Sequence, residues 1–173
     1  MADTKQTPGS PFWQFSLRFY RLPKVADACI ALQEDAGVDV NLLLFLLWQA
    51  TQGRTFSAAD VAALEEKIGP WRDMTVVPLR NVRRALRTPP VLVVGMTAEA
   101  FRNRIKAVEL EAERLQQEAM FELAQSTPQG TPASSPEEAG RANVTSYQTM
   151  LGVAFPNAAT EILLEAFGTL NPA

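Results

Sequence analysis

The chain has 173 residues, 47% of them hydrophobic and 20% charged, with a net charge of −3. That is enough apolar material for one respectable core, and the acidic balance argues against a dedicated nucleic-acid binder. There is no histidine, and Cys29 is the single cysteine, which excludes Ser-His-Asp and Cys-His catalysis, His-ligated zinc and an internal disulfide. An enzyme built on this chain would work with carboxylates, Lys, Arg, Tyr or Ser alone, and the fold has no need of an oxidising compartment.

The opening residues, Met-Ala-Asp-Thr-Lys-Gln-Thr-Pro-Gly-Ser, contain no apolar stretch of the kind a secretory leader uses; residues 1–9 are expected to be disordered and the protein cytoplasmic. Ser10-Pro11 marks a helix start, with Ser as N-cap and Pro at the first helical position. The segment behind it carries Phe12, Trp13, Phe15 and Phe19 and is broken at Leu22-Pro23. A second helix is predicted from about Lys24 to Asp35, with Val25, Ala28, Cys29 and Leu32 three and four apart and Gly37 as its stop. In that apolar setting Cys29 reads as a small buried hydrophobe. Asp39 caps a third helix, Val40 to Gln52, whose Leu-Leu-Leu-Phe-Leu-Leu-Trp run has no solvent face to offer. It falls short of the roughly 20 apolar residues that span a bilayer, so it reads as the central core element.

Ser57 starts a fourth helix with Asp60 as capping-box partner, an inner stripe of Val61, Leu64 and Ile68, and Gly69-Pro70 as its end. From Trp71 to Arg87, Val76, Leu79, Val82 and Leu86 recur at helical spacing, and Pro78 must kink or restart that helix. Pro89-Pro90 is a stop, and Val91 to Gly95 is predicted to be an extended connector packing on the core. Thr97 caps the longest helix, to about Gln125, where Phe101, Ile105, Val108, Ala112, Leu115 and Ala119 follow a four-three spacing. Such a seam packs lengthwise on a partner, in the same chain or in a second copy. Ser126 to Ala142 has the Ser/Thr/Pro/Gly/Glu composition of a flexible linker. Short helices are predicted at 145–154 and 157–167. The expected organisation is an all-α single bundle over 10–125, a linker over 126–142, and a helical tail over 143–173 that docks on the bundle or on a partner.

Several of these pieces occur together in one group of proteins. Phe12-Trp13-x-Phe15, Leu32-Gln33-x-Asp35, Asp39-Val40-Asn41-Leu42-Leu43-Leu44-Phe45-x-x-Trp48, Pro78-Leu79-Arg80-x-x-Arg83-Arg84 and Glu109-Leu110-Glu111-Ala112-Glu113-Arg114 resemble a family of small bacterial proteins of unknown function. The resemblance covers about residues 10 to 125. It implies an all-helical cytosolic protein and brings no activity, cofactor or site residue with it.

Two constellations stand out. Arg80, Arg83, Arg84 and Arg87 lie at i, i+3, i+4 and i+7, on one helix face, with Arg72 upstream. A planar guanidinium can grip carboxylate or phosphate with two hydrogen bonds, so this face either binds an anionic ligand or acidic partner, or pairs with carboxylates of neighbouring helices, Glu109, Glu111 and Glu113 being nearest. The second is the pair Asp35 and Asp39, whose spacing resembles the Mg²⁺-holding carboxylates of helical isoprenoid-diphosphate enzymes. Gly37 interrupts the helix between them and Asp39 has the position of an N-cap, so caps and turn residues are the simpler account.

Three functional readings compete. The first is a non-enzymatic interaction or adaptor module, with no catalytic residue, metal or cofactor, which binds a protein partner or itself through the long helix. The second is a binder of an anionic small molecule or lipid headgroup through Arg72, Arg80, Arg83, Arg84 and Arg87. The third, resting on the Asp pair alone, is an Mg²⁺-dependent enzyme acting on a diphosphate.

Overall fold

The computed structural model describes residues 9–127 and 129–170. Among them the chain is all-helical apart from one pair of two-residue strands. The expected disordered start lies outside the described residues except for Gly9, as do the last three residues of the tail.

Helix α3 (Val40–Thr51) is buried from Asn41 to Ala50, on every side. The reason is its sequence: a helix with no polar face has no stable place at a surface, so other elements must enclose it. α1 (Pro11–Tyr20) lays Phe12 against Phe45 and Trp48 at ring separations of 5.4 Å, and α2 (Val25–Ala36) adds Val25, Cys29 and Leu32 to the same core. Ser10 accepts the Trp13 N–H as N-cap, Gly37 ends α2 at φ +69°, and Asp39 accepts the N–H groups of Asn41 and Leu42. Each of these signals was readable from residue type.

The next stretch departs from expectation. α4 (Ala58–Trp71), opened by the Ser57–Asp60 capping box, runs through Gly69-Pro70 instead of ending there. A π-helical turn (Arg72–Val76) then leads directly into α5 (Val77–Ala85). Pro78 has no N–H to give to the preceding turn, and the wider turn accommodates it, with the Val77 N–H reaching the Arg72 carbonyl five residues back. The rod is held past Pro70 by tertiary contact: the Trp71 indole N–H donates to the Ala112 carbonyl (2.9 Å) on α6 (Gly95–Ser126).

At 32 residues, α6 is about 48 Å long, and its inward face is not the apolar seam the spacing predicts. Buried are Ala98, Glu109, Ala112, Gln116, Gln117 and Met120, whereas Phe101, Val108 and Leu115 are exposed. The polar residues turn inward because the surface they meet is polar too, carrying Asn41 and the arginines of α5.

The C-terminal part also differs from the sequence reading of a linker to 142 followed by a tail of short helices. α7 (Pro136–Leu151) begins inside the expected linker, with Ser135 accepting the Glu138 N–H as N-cap, and α8 (Asn157–Leu170) follows. β2 (Thr131–Pro132) pairs antiparallel with β1 (Arg54–Thr55), anchoring the connection. The two helices are integral to the core: α7 packs on α3, α8 on α2, and Asn143, Tyr147, Leu163 and Phe167 are fully enclosed. Gly140 makes the α7–α8 approach possible, since a Cβ there would come within 2.9 Å of the Phe167 ring. The tail therefore docks in cis.

Asn143 is the polar peg of that docking. Its Nδ2 donates to the carbonyls of Leu46 (2.9 Å) and Arg54 (3.0 Å), and its Oδ1 accepts the Phe56 N–H (2.8 Å). Asn143→Ala strands a buried N–H and should lower unfolding stability by about 1–3 kcal/mol in chemical denaturation. An unchanged midpoint would mean that α7 does not sit where it is placed here.

Candidate functional site

The arginine face predicted from sequence is formed, and most of it is met from within the chain. Arg80 donates through Nε to Glu109 (3.1 Å) and through Nη2 to Glu113 (2.9 Å). Arg83 forks onto both oxygens of Glu109, with Nη2–Oε1 at 3.1 Å and Nε on Oε2. Arg84 reaches Glu34 of α2 at 3.1 Å, in an exposed pair. Arg72, at the π turn, contacts Asp39 (3.3 Å), Glu65 (2.6 Å) and Asp73 (2.9 Å). Arg87 lies beyond α5, exposed, with no ion pair among the described residues.

Glu109 is the hinge of this cluster, its side chain only 7% exposed. Burial by itself would raise its pKa, but the hydrogen bonds from Arg83 and Arg80 outweigh that and hold the carboxyl below its usual range. A polar chain continues behind it into the core. Asn41 donates to Gln116 (2.7 Å), Gln117 donates to Asn41 (2.8 Å), and Gln116 faces Asp39 at 3.4 Å. The Asp39 N–H is accepted by the Tyr147 hydroxyl at 2.9 Å.

Asp39 is thus occupied three ways, as helix cap, as partner of Arg72 and as the end of this chain, while Asp35 is exposed at the end of α2. The structure does not bring the two together on one continuous helix. Among the described residues there is no cluster of three His, Cys, Asp or Glu placed to hold a metal, and no helix is long and apolar enough to cross a membrane. Cys29 is buried and its thiol is pushed up to about 12 by that burial, which leaves it unreactive.

What the sequence reading missed lies just past the arginines. Val91 to Val94 do not pack on the core; they form an irregular turn at the end of the α5–α6 hairpin, with Val91 fully exposed, Leu92 at 95% and Met96 at 86%. α5 has no fully buried residue, and α6 has none between Ala98 and Glu109. The hairpin is an arm whose two helices pack on each other and whose apolar tip faces solvent. Over 77–108 it carries Arg80, Arg83, Arg84, Arg87, Arg102, Arg104 and Lys106 against Glu99 alone, in a protein that is acidic overall. The available signal was the absence of any second strand for Val91–Val94 to pair with, directly after the Pro89-Pro90 stop.

Residues 11–120 match the family described as Protein of unknown function (DUF2390), and the chain belongs to it. The match takes in α1 to α5, the arm and most of α6. No curated protein matches, and no solved structure does.

Removing the central carboxylate should expose its role. Glu109→Gln leaves the partly buried Arg83 without its anion and Arg80 with Glu113 alone, and should cost about 3 kcal/mol at neutral pH. Because the native pKa is depressed, Glu109 stabilises the fold fully above the ordinary carboxylate range and loses that contribution as pH falls through its native value. The gap between wild type and variant should accordingly narrow in acid denaturation midpoints; a gap that stays constant or widens would contradict the pairing.

Proposed function

We propose that this protein is a non-enzymatic interaction module of the bacterial cytoplasm, and that the α5–α6 arm is the part that meets its partner. One observation carries the reading: a projecting hairpin with a contiguous apolar tip, Val91 to Val94 and Met96, stiffened from below by the Arg80–Arg83–Glu109 cluster. Solvent-exposed apolar residues scattered singly are ordinary, but a contiguous group at the end of a supported arm marks a binding surface. The absence of histidine and the buried state of Cys29 favour the same non-catalytic role.

The arginine face as a small-anion site has less support, because Arg72, Arg80, Arg83 and Arg84 already face carboxylates of this chain. Their role in the proposal is to hold the arm, and Arg87 is the member of the set left open to a partner. The diphosphate-enzyme reading has only Asp35 and Asp39, placed on separate helices.

A photo-crosslinking amino acid at Val91, Leu92 or Met96, compared in cells with the exposed position Glu161 on α8, tests the proposal. The expected result is the same adduct from all three tip positions and none from Glu161. Unmodified protein from every tip position, or identical adducts from Glu161, would contradict it.

A further inference from the structure

Resting on the arm as the binding element, we propose that its partner is an anionic lipid surface, into which the Val91–Met96 tip inserts. Three features of the arm select that partner. The tip lies at the far end of the α5–α6 hairpin, with Val91, Leu92, Val94 and Met96 exposed and no polar side chain between 91 and 96. A bilayer boundary accepts such an apolar group without needing a matching cavity.

The second feature is the charge directly behind the tip. Arg87 on one side and Arg104 and Lys106 on the other have no ion pair among the described residues. Arg87, four residues before Val91, is the nearest of them to the tip, while Arg104 and Lys106 stand about 12 and 15 Å behind Met96 along α6 and approach an anionic surface only through their long side chains. Arg104 stacks over Phe101 at 5.4 Å, an amphipathic pair suited to the headgroup level. Glu99 is the one carboxylate in this outer part of the arm, and it is paired with Arg102 at 2.8 Å.

The third feature is the division of charge along α6. The outer half is basic, through Arg102, Arg104 and Lys106, whereas Glu109, Glu111, Glu113, Glu118 and Glu122 make the inner half acidic. An anionic surface would draw the tip in and repel the body, which orients the arm end-on. Insertion of six residues is interfacial and does not amount to a span.

The buried, unreactive Cys29 makes a clean assay possible. Leu92→Cys in the full chain, labelled with an environment-sensitive NBD fluorophore, should shift to the blue with mixed phosphatidylglycerol–phosphatidylcholine vesicles and not with pure phosphatidylcholine. Arg87→Glu with Arg104→Glu should weaken that binding by at least about tenfold, and raised salt should weaken it further. Circular dichroism of the double variant should be unchanged, because neither residue is in an ion pair.

No shift with either vesicle, or equal shifts with both, would overturn the proposal. So would a shift that appears without lipid and grows with protein concentration, which would assign the tip to a second copy. If tip positions crosslink to a protein while vesicles elicit nothing, the arm remains the binding element and the lipid partner is wrong. If both assays are silent, the arm reading falls as well.

Discussion

Glu109 holds the outer part of this structure in place. Its carboxylate is buried between Arg80 and Arg83 of α5, and through it a short helix with no fully buried residue is fastened to the long helix α6. Val76 of the π turn and Ala112 of α6 are buried nearby and the Trp71 indole of α4 bonds the Ala112 carbonyl, while on α5 itself the charge cluster is the specific link to α6. A buried ion pair is poor evidence of stability, because desolvation consumes most of the Coulombic gain. What it does supply is a defined register. The forked Arg83–Glu109 contact and the Arg80 bridge to Glu113 allow α5 few positions against α6.

The body follows a different logic, that of the helix α3. Because its apolar residues point in all directions, α1, α2, α7 and the strand pair must all close on it, and α8 closes the layer over α2. Apolar contact organises the body, and charge organises the arm. The polar chain Asp39–Gln116–Asn41–Gln117 lies where the two meet, with Tyr147 of α7 and Arg72 of the π turn both joining it at Asp39. A single buried network therefore connects the C-terminal helices, the core helix and the root of the arm.

Much of this was legible in the residues, and the failures have identifiable causes. Ser10-Pro11, Gly37, Asp39 and the Ser57–Asp60 box set helix ends by local chemistry, and local chemistry was sufficient for α1 to α3 and for the start of α4. Pro70 misled because the Trp71–Ala112 bond lies far away in sequence. The seam on α6 misled for a related reason: apolar spacing predicts the buried face only when the opposing surface is apolar, and here it is arginine and asparagine. The start of α7 was readable, since Ser135-Pro136-Glu137-Glu138 carries the same cap, proline and acidic first turn used elsewhere in the chain. Low-complexity composition around it masked the signal. Nothing in the sequence pattern marks Asn143, whose three backbone partners come from residues about ninety positions earlier. Of the candidate site, the arginine face was readable and its carboxylate partners at Glu109 and Glu113 were nameable, but the exposure of Val91–Met96 depended on tertiary placement.

The central claim is that the arm is a held projection, with Glu109 as the clasp. Spin labels at Leu92→Cys and Glu161→Cys, read by pulsed electron–electron resonance, measure it directly, because Cys29 is buried and stays unlabelled. A narrow distance distribution that broadens on Glu109→Gln, with the body still folded by circular dichroism, is the result the structure requires. A distribution already broad in the wild-type background, or one indifferent to Glu109→Gln, would contradict it.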